Sequence, residues 1–532
     1  MPLTRRSFVK LAAAAPFAAA GPLAGAQPSA DDSLRSDLRR SAGALMLPGF
    51  VAGVVRDGKL AFVEAHGSAD LESRTPMRRD HIFYLASVTK TATAVMMMQY
   101  VQEKKISLDD YVLDYPFLSV GFTPDRLTDP NVKLKHVLSH TSEGKPGDQF
   151  VYNGGRYNFV YGVFEKISGN TTRYQACADE FRKRIGEPLG LTSTLPGHPA
   201  DAKDPRIPRI ATPYFLDSGH KAATRDGGAS GGTTLFPSTG LLSTVDDLAK
   251  YMIALDENVL LSPESYAHLT TPYTLNDGRL SPYGLGWSTQ KVGPHAVHWH
   301  YGYGDSYSAL IVRLPEKKTS FVFLSNTGAA SAPFLLGYGN LLTSPFAVAF
   351  LDSALPGLLS AADKDCSQAF LAHYTETAFG RKRGEAKTLL KRLCSTAPAR
   401  FRQADRAMIR LLADLSDPAF SMEMNSLVEA YRGSGAFHPD ISLAIADYYE
   451  KTGDDAKRDA VLRDIADRTG YGEAGATRDA CIRLGTELLR RGKTEEGRRY
   501  LWMAARYAQT IDPGSQQRIL QGLKTRPSLI EE

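Results

Sequence analysis

The chain has 532 residues, 43% hydrophobic and 23% charged, an ordinary globular composition too long for one typical domain. Its formal charge is +5, and three of those charges, Arg5, Arg6 and Lys10, fall within residues 1–26, which hold no acid. The near-neutral remainder excludes a strongly basic nucleic-acid binder and gives no reason to expect an anionic membrane as partner.

The amino terminus reads as an export signal. A basic stretch, Thr4 to Lys10, precedes the small-residue apolar run LAAAAPFAAAGPLAG, which ends in Ala24-Gly25-Ala26. The run is too short to span a bilayer and is interrupted by Pro16 and Pro22. Arg5-Arg6 followed by Ser-Phe-Val-Lys resembles a bacterial twin-arginine signal. Residues 1–26 are therefore expected to be removed. The mature chain would begin near Gln27, periplasmic or secreted, with no stable membrane insertion after cleavage.

A polar helix is predicted over residues 31–45. GFVAGVVRDGKLAFVEAHG then reads as two strands joined at Asp57-Gly58, a dipeptide that favours a tight hairpin. A helix follows from about Ser87 to Gln102, and after it a long middle region rich in Gly, Pro and Asp. Strand patterning returns in AVHWHYGYG, DSYSALIVRL and KTSFVFLSN, the last two joined at Pro315-Glu316-Lys317-Lys318. Beyond about residue 360 only helical periodicity is left. Two helix–turn–helix units there turn at Gly453 and Gly492 and resemble tetratricopeptide-like hairpins. The expected organisation is an α/β domain over 27–358, with an antiparallel sheet flanked by helices plus a helical lobe. An all-α C-terminal domain follows over 359–532. Cys177, Cys366, Cys394 and Cys481 are too few for a disulfide framework, and a Cys366–Cys394 bridge and isolated thiols both stay open.

Chemistry concentrates at Ser87-Val88-Thr89-Lys90. It sets a hydroxyl and an amine three residues apart, on one helical face, where an apolar run begins. A lysine that burial or nearby positive charge discourages from holding its proton can take the proton of a serine. Five S-x-x-K tetrads occur, at Ser7, Ser87, Ser142, Ser218 and Ser288, so context has to separate them.

That context is a series of further segments in order. They are LKHVLSHTSEG (134–144), Tyr152 in FVYNGGRYNFVYGVFEKISG, LLSTVDDLAKYM (241–252), YGLGW (283–287) and His300-Tyr301-Gly302. With Ser87 and Lys90 they resemble the serine β-lactamase and penicillin-binding-protein superfamily, and more narrowly its class C, esterase and D-aminopeptidase relatives. The resemblance covers roughly residues 30–355. It implies Ser87 as nucleophile, Lys90 as general base and Tyr152 as proton shuttle. It also implies an oxyanion hole from the N–H groups of Ser87 and Tyr303, and substrate contacts from Asn153, His300 and Gly302. No metal or organic cofactor is required.

Three departures from the family pattern stand out, and those at Gly154 and His300 bear on substrate. Gly154 stands where the family's Tyr-x-Asn motif has asparagine, with Asn153 beside it, and Glu143 intervenes before Gly144. His300 stands where most β-lactamases have lysine. The expected function is an exported serine hydrolase acting through an acyl-serine on esters or D-amino-acid peptides. A β-lactamase, or a catalytically weak protein binding cell-wall peptides, are the alternatives. The expected partners are a small-molecule or peptide substrate and a protein docking on the C-terminal helices.

Overall fold

A computed structural model describes residues 29–116, 129–172, 174–216, 223–226, 232–380, 384–468 and 475–511. The export segment, residues 1–26, lies outside the described residues.

A seven-stranded antiparallel sheet organises the first part of the chain. Its order is Thr75–Pro76, Lys59–Asp70, Gly49–Arg56, Thr319–Ser325, Tyr307–Leu314, His295–Gly304 and Ser288–Val292. Asp57 and Gly58 both take positive φ, 49° and 70°, as a two-residue turn matched to strand twist demands. The N-terminal hairpin is closed by the last strand, with Phe50 opposite Ser325. The edge strand Ser288–Val292 escapes sequence reading because STQKV is polar and lacks a clean apolar alternation.

Alternation along each strand divides the sheet's side chains between two cores. Phe50, Ala52, Leu310, Val312, Phe321 and Phe323 face the Ala30–Ala44 and Pro345–Ala354 helices. Val51, Ala309, Ile311, Val322 and Leu324 face the opposite way, under the Thr89–Gln102 helix. That helix is buried almost all round, as a central helix without a polar face must be.

After Ser325 the described residues contain helices and turns and no strand. The helical region begins at Ala361–Phe379, where Ser360 supplies a capping box, and ends in two hairpins, Pro439–Thr452 with Asp455–Asp467 and Gly475–Arg490 with Thr494–Ile511. The chain thus folds as a β-lactamase/transpeptidase-like sheet domain with a C-terminal helical region. One apolar cluster runs from Leu34 through the sheet face into these helices, as far as Ala504. All four cysteines are free, so Cys366 and Cys394 form no bridge. Among the described residues no helix is long and apolar enough to cross a membrane.

Candidate active site

Ser87 does not begin the α-helix. It sits in a 3-10 turn, Ala86–Val88, and the helix starts at Thr89. Leu85 is tied by its N–H to the carbonyl of Leu241, and Ala86 is forced to φ 45°. A left-handed alanine costs roughly 1–3 kcal/mol, a strain that persists only where the surroundings impose it. Gly302 lies against the same turn. A Cβ there would fall 2.1 Å from the Leu85 carbonyl oxygen, so the strand can press against this turn only as glycine.

Lys90, in the first helical turn, brings Nζ to 2.8 Å from Ser87 Oγ and donates to the carbonyl of Ser238 at 3.0 Å. The residue is wholly buried, and the rings of Tyr152 and Tyr157 lie 5.4 and 5.5 Å from the amine. No ion pair to Lys90 exists among the described residues. Burial without a counter-charge brings its pKa down from 10.5 to about 7. Ser238 is held in turn by Asn158 Oδ1, which accepts from its N–H at 2.9 Å. Sequence reading had no access to Ser238, because a carbonyl acceptor belongs to every residue type.

The Tyr152 hydroxyl is buried and faces Ser87 and Tyr301, with neither in full hydrogen-bond geometry. Its ring packs on His140 at 4.2 Å and on Tyr301 at 5.5 Å between centroids. Burial raises its pKa well above the ordinary phenol value. A charged lysine beside it would act to lower that value. Burial outweighs that effect, and a lysine itself near neutrality offers little charge. Tyr152 is thus a protonated phenol.

His300 is fully buried and both ring nitrogens are engaged. Nδ1 donates to the Tyr301 carbonyl at 2.6 Å, and Nε2 accepts from Tyr283 Oη at 2.8 Å. Burial, then the neighbouring Lys90, lowers its pKa to about 3. A neutral, fully bonded imidazole brings no cation to a substrate carboxylate. Tyr283 comes from YGLGW, a segment to which the resemblance assigns no catalytic role. Tyr303 is 45% exposed at the end of the strand, its hydroxyl donating to Asp305 at 2.6 Å.

The departures at Glu143 and in the Asn153-Gly154 loop meet in space. Asn153 Nδ2 donates to Glu143 Oε1 at 2.7 Å, while its Oδ1 accepts from the N–H groups of Gly155 and Arg156. The position facing the lysine is Gly154, where a Cβ would stand 3.7 Å from Nζ. Asn153, expected on the substrate, is thus turned toward Glu143 and its own loop.

The loop bearing Tyr152 is fastened from the helical region. Gln149 donates to the Gly435 carbonyl at 3.1 Å and accepts from the Phe437 N–H at 2.9 Å. Neither contact is local, so no sequence pattern announces it. Among the described residues no cluster of His, Cys, Asp and Glu could hold a metal ion.

Comparison with known proteins bears on the family of the chain. A family model described as Beta-lactamase matches residues 35–339, more than half of the chain. The chain is similar to a D-aminopeptidase of Brucella anthropi, 24% identical over 286 residues, which are 48% of this chain and 51% of that protein. It is similar to Esterase EstB of Burkholderia gladioli, 38% identical over 101 residues, covering 18% of this chain and 24% of that one. An octameric penicillin-binding protein homologue from Pyrococcus abyssi superposes with TM-score 0.48 at 24% identity, over 60% of this chain and 76% of that one. The chain spans about half the length of the curated relatives it matches. With the motif order, the sheet and the family match in agreement, the chain belongs to the Beta-lactamase family of serine hydrolases.

Proposed function

We propose that this is an exported serine hydrolase in which Ser87 is acylated by esters or by D-amino-acid peptides and amides, in preference to β-lactams. The observation that carries the reading is the buried Lys90 amine, 2.8 Å from Ser87 Oγ with a pKa of about 7. Near neutral pH a large fraction of it is unprotonated. Its lone pair takes the Ser87 proton as Oγ bonds to the substrate carbonyl carbon, and the carbonyl electrons move onto oxygen. The N–H groups of Ser87 and Tyr303 receive that oxyanion. On collapse the bond to the leaving group breaks, Tyr152 gives the departing atom its phenolic proton, and the Lys90 ammonium restores it. Water then adds to the acyl-serine by the same proton path and releases the acid.

Substrate choice follows from what the site lacks. His300 brings no cation to meet a penicillin carboxylate, and Gly154 brings no side-chain amide. The names of the relatives, D-aminopeptidase and esterase, support the same ranking. Labelling with a fluorophosphonate should yield a modified peptide containing Ser87. Unchanged labelling and hydrolysis in Ser87→Ala would sink the reading. Among a p-nitrophenyl ester, a D-alanyl anilide and a chromogenic cephalosporin, fastest turnover of the cephalosporin would overturn the ranking. Export rests on residues 1–26 and predicts a periplasmic or secreted product whose N-terminus lies near Gln27.

A further inference from the structure

Tyr152 gives up its proton in the proposed reaction, and for that moment its oxygen is a buried anion. The hydroxyl is sealed from water and makes no full hydrogen bond. A buried anion without a donor is costly, so the groups around this oxygen govern how readily the proton leaves. Two hydroxyls face it, those of Ser87 and Tyr301. Ser87 is acylated by then and has no hydrogen left to donate. His300 cannot serve either, because Nδ1 is bonded to the Tyr301 carbonyl and Nε2 to Tyr283. Lys90 lies over the face of the Tyr152 ring, 5.4 Å from its centroid.

Tyr301 is built to reach the place. Its strand, His295–Gly304, pairs with Ser288–Val292 only as far as Trp299, so Tyr301 stands beyond the end of that pairing. Its ring lies 5.5 Å from the Tyr152 ring and keeps some surface. Gly337 makes the room. A Cβ there would fall 2.7 Å from Tyr301 Oη and 3.9 Å from Tyr152 Cδ1, so one point touches both phenols. Gly337 does not take a positive φ, so space rather than backbone calls for glycine. Burial, then the neighbouring Tyr152, holds the Tyr301 phenol well above its ordinary pKa, and it keeps the proton it donates.

We infer that Tyr301 is a positioning residue for the proton transfer, its hydroxyl donating to Tyr152 Oη and supporting the phenolate that forms as the leaving group departs. The Tyr152 O–H bond breaks, and its proton goes to the departing atom. Tyr301 keeps its own proton throughout, and the Lys90 ammonium then reprotonates Tyr152. This rests on the serine-hydrolase reading and deepens it. Tyr301 matters in proportion to the basicity of the leaving group, and so equips the site for alkyl esters and amides.

The test is kcat/KM of the full chain on the acetate esters of p-nitrophenol, phenol and benzyl alcohol. p-Nitrophenolate departs as a stable anion, whereas the benzyl alkoxide has to be protonated as it leaves. Tyr301→Phe should cost about threefold on the nitrophenyl ester and about thirtyfold on the benzyl ester, with phenyl between. Gly337→Ala keeps the hydroxyl but displaces it, and should tilt the series the same way. An equal loss across the series in Tyr301→Phe means a merely structural role and overturns the proposal, as does no loss. A level series in Gly337→Ala overturns the seating of the hydroxyl by that glycine. If a variant melts early, its benzyl-to-nitrophenyl ratio still decides, because that ratio does not depend on the amount of folded enzyme. Failure of the hydrolase reading itself registers separately, as absence of wild-type fluorophosphonate labelling at Ser87.

Discussion

Lys90 and Arg313 are both sealed against the same face of the sheet, yet among the described residues only Arg313 has an acid beside it. Arg313 pairs with the buried Asp256 and lies 4.6 Å from the Tyr266 ring. Lys90 meets a hydroxyl, a carbonyl and two aromatic rings. The difference is chemical. A guanidinium stays charged at any accessible pH and has to be matched, whereas an amine denied a partner gives up its proton and becomes a base. One region uses burial to hold a charge in place, and the other uses burial to remove one.

The comparison breaks most visibly at Lys90. Lys90→Met should lower kcat/KM by about 10³-fold, within the range for loss of a positioned base. The same change should stabilise the fold at low pH. The folded pKa of about 7 lies below the ordinary 10.5, so between those values the unfolded chain binds more protons. The burial penalty is full below pH 7 and fades as pH rises toward 10.5. Thermal melts should show Lys90→Met above wild type at pH 6, by on the order of 2 kcal/mol after the lost hydrogen bonds are discounted. That gain should vanish near pH 10.

Asp256→Ala makes the opposite case, because Arg313 would be left charged and unmatched. Denaturant titration should record a loss of about 3–5 kcal/mol. A loss under 1 kcal/mol would mean that water reaches Arg313. The wild-type pH profile follows in size. Log kcat/KM should rise with pH through an inflection near 7 and flatten above it, as the Lys90 amine loses its proton. A profile flat from pH 5 to 9 would remove Lys90 as the base.

Smaller effects sharpen the contrast. Gln149→Ala releases the Tyr152 loop from the Gly435–Phe437 segment and should lower kcat about tenfold with a lesser change in KM. Rescue by Gln149→Glu is not expected, since a carboxylate cannot donate to the Gly435 carbonyl. Gly154→Asn would set an amide acceptor toward Lys90, favouring its charged form. The pH inflection should move upward by about half a unit.

Much of the site was legible before folding. The Ser87–Lys90 spacing, Tyr152 and His300 all reach one place, and the order of the surrounding segments matched a known family. Their states were not legible. Tyr152 is a protonated phenol rather than one with a lowered pKa, His300 is a neutral supporting group, and Asn153 is turned toward Glu143. Each of these depends on desolvation or on a partner far along the chain. The helical region was read as a separate unit, whereas its apolar cluster continues into the sheet and its loops fasten the one that carries Tyr152.

The sequence by itself determined which groups are present and how the local elements form. Asp57-Gly58 sets the hairpin turn, and strand alternation divides the two faces. It could not decide where charge survives, because a pKa depends on how much water the fold removes and which opposite charge it supplies. Only the tertiary structure gave Arg313 an acid and, among the described residues, placed none beside Lys90.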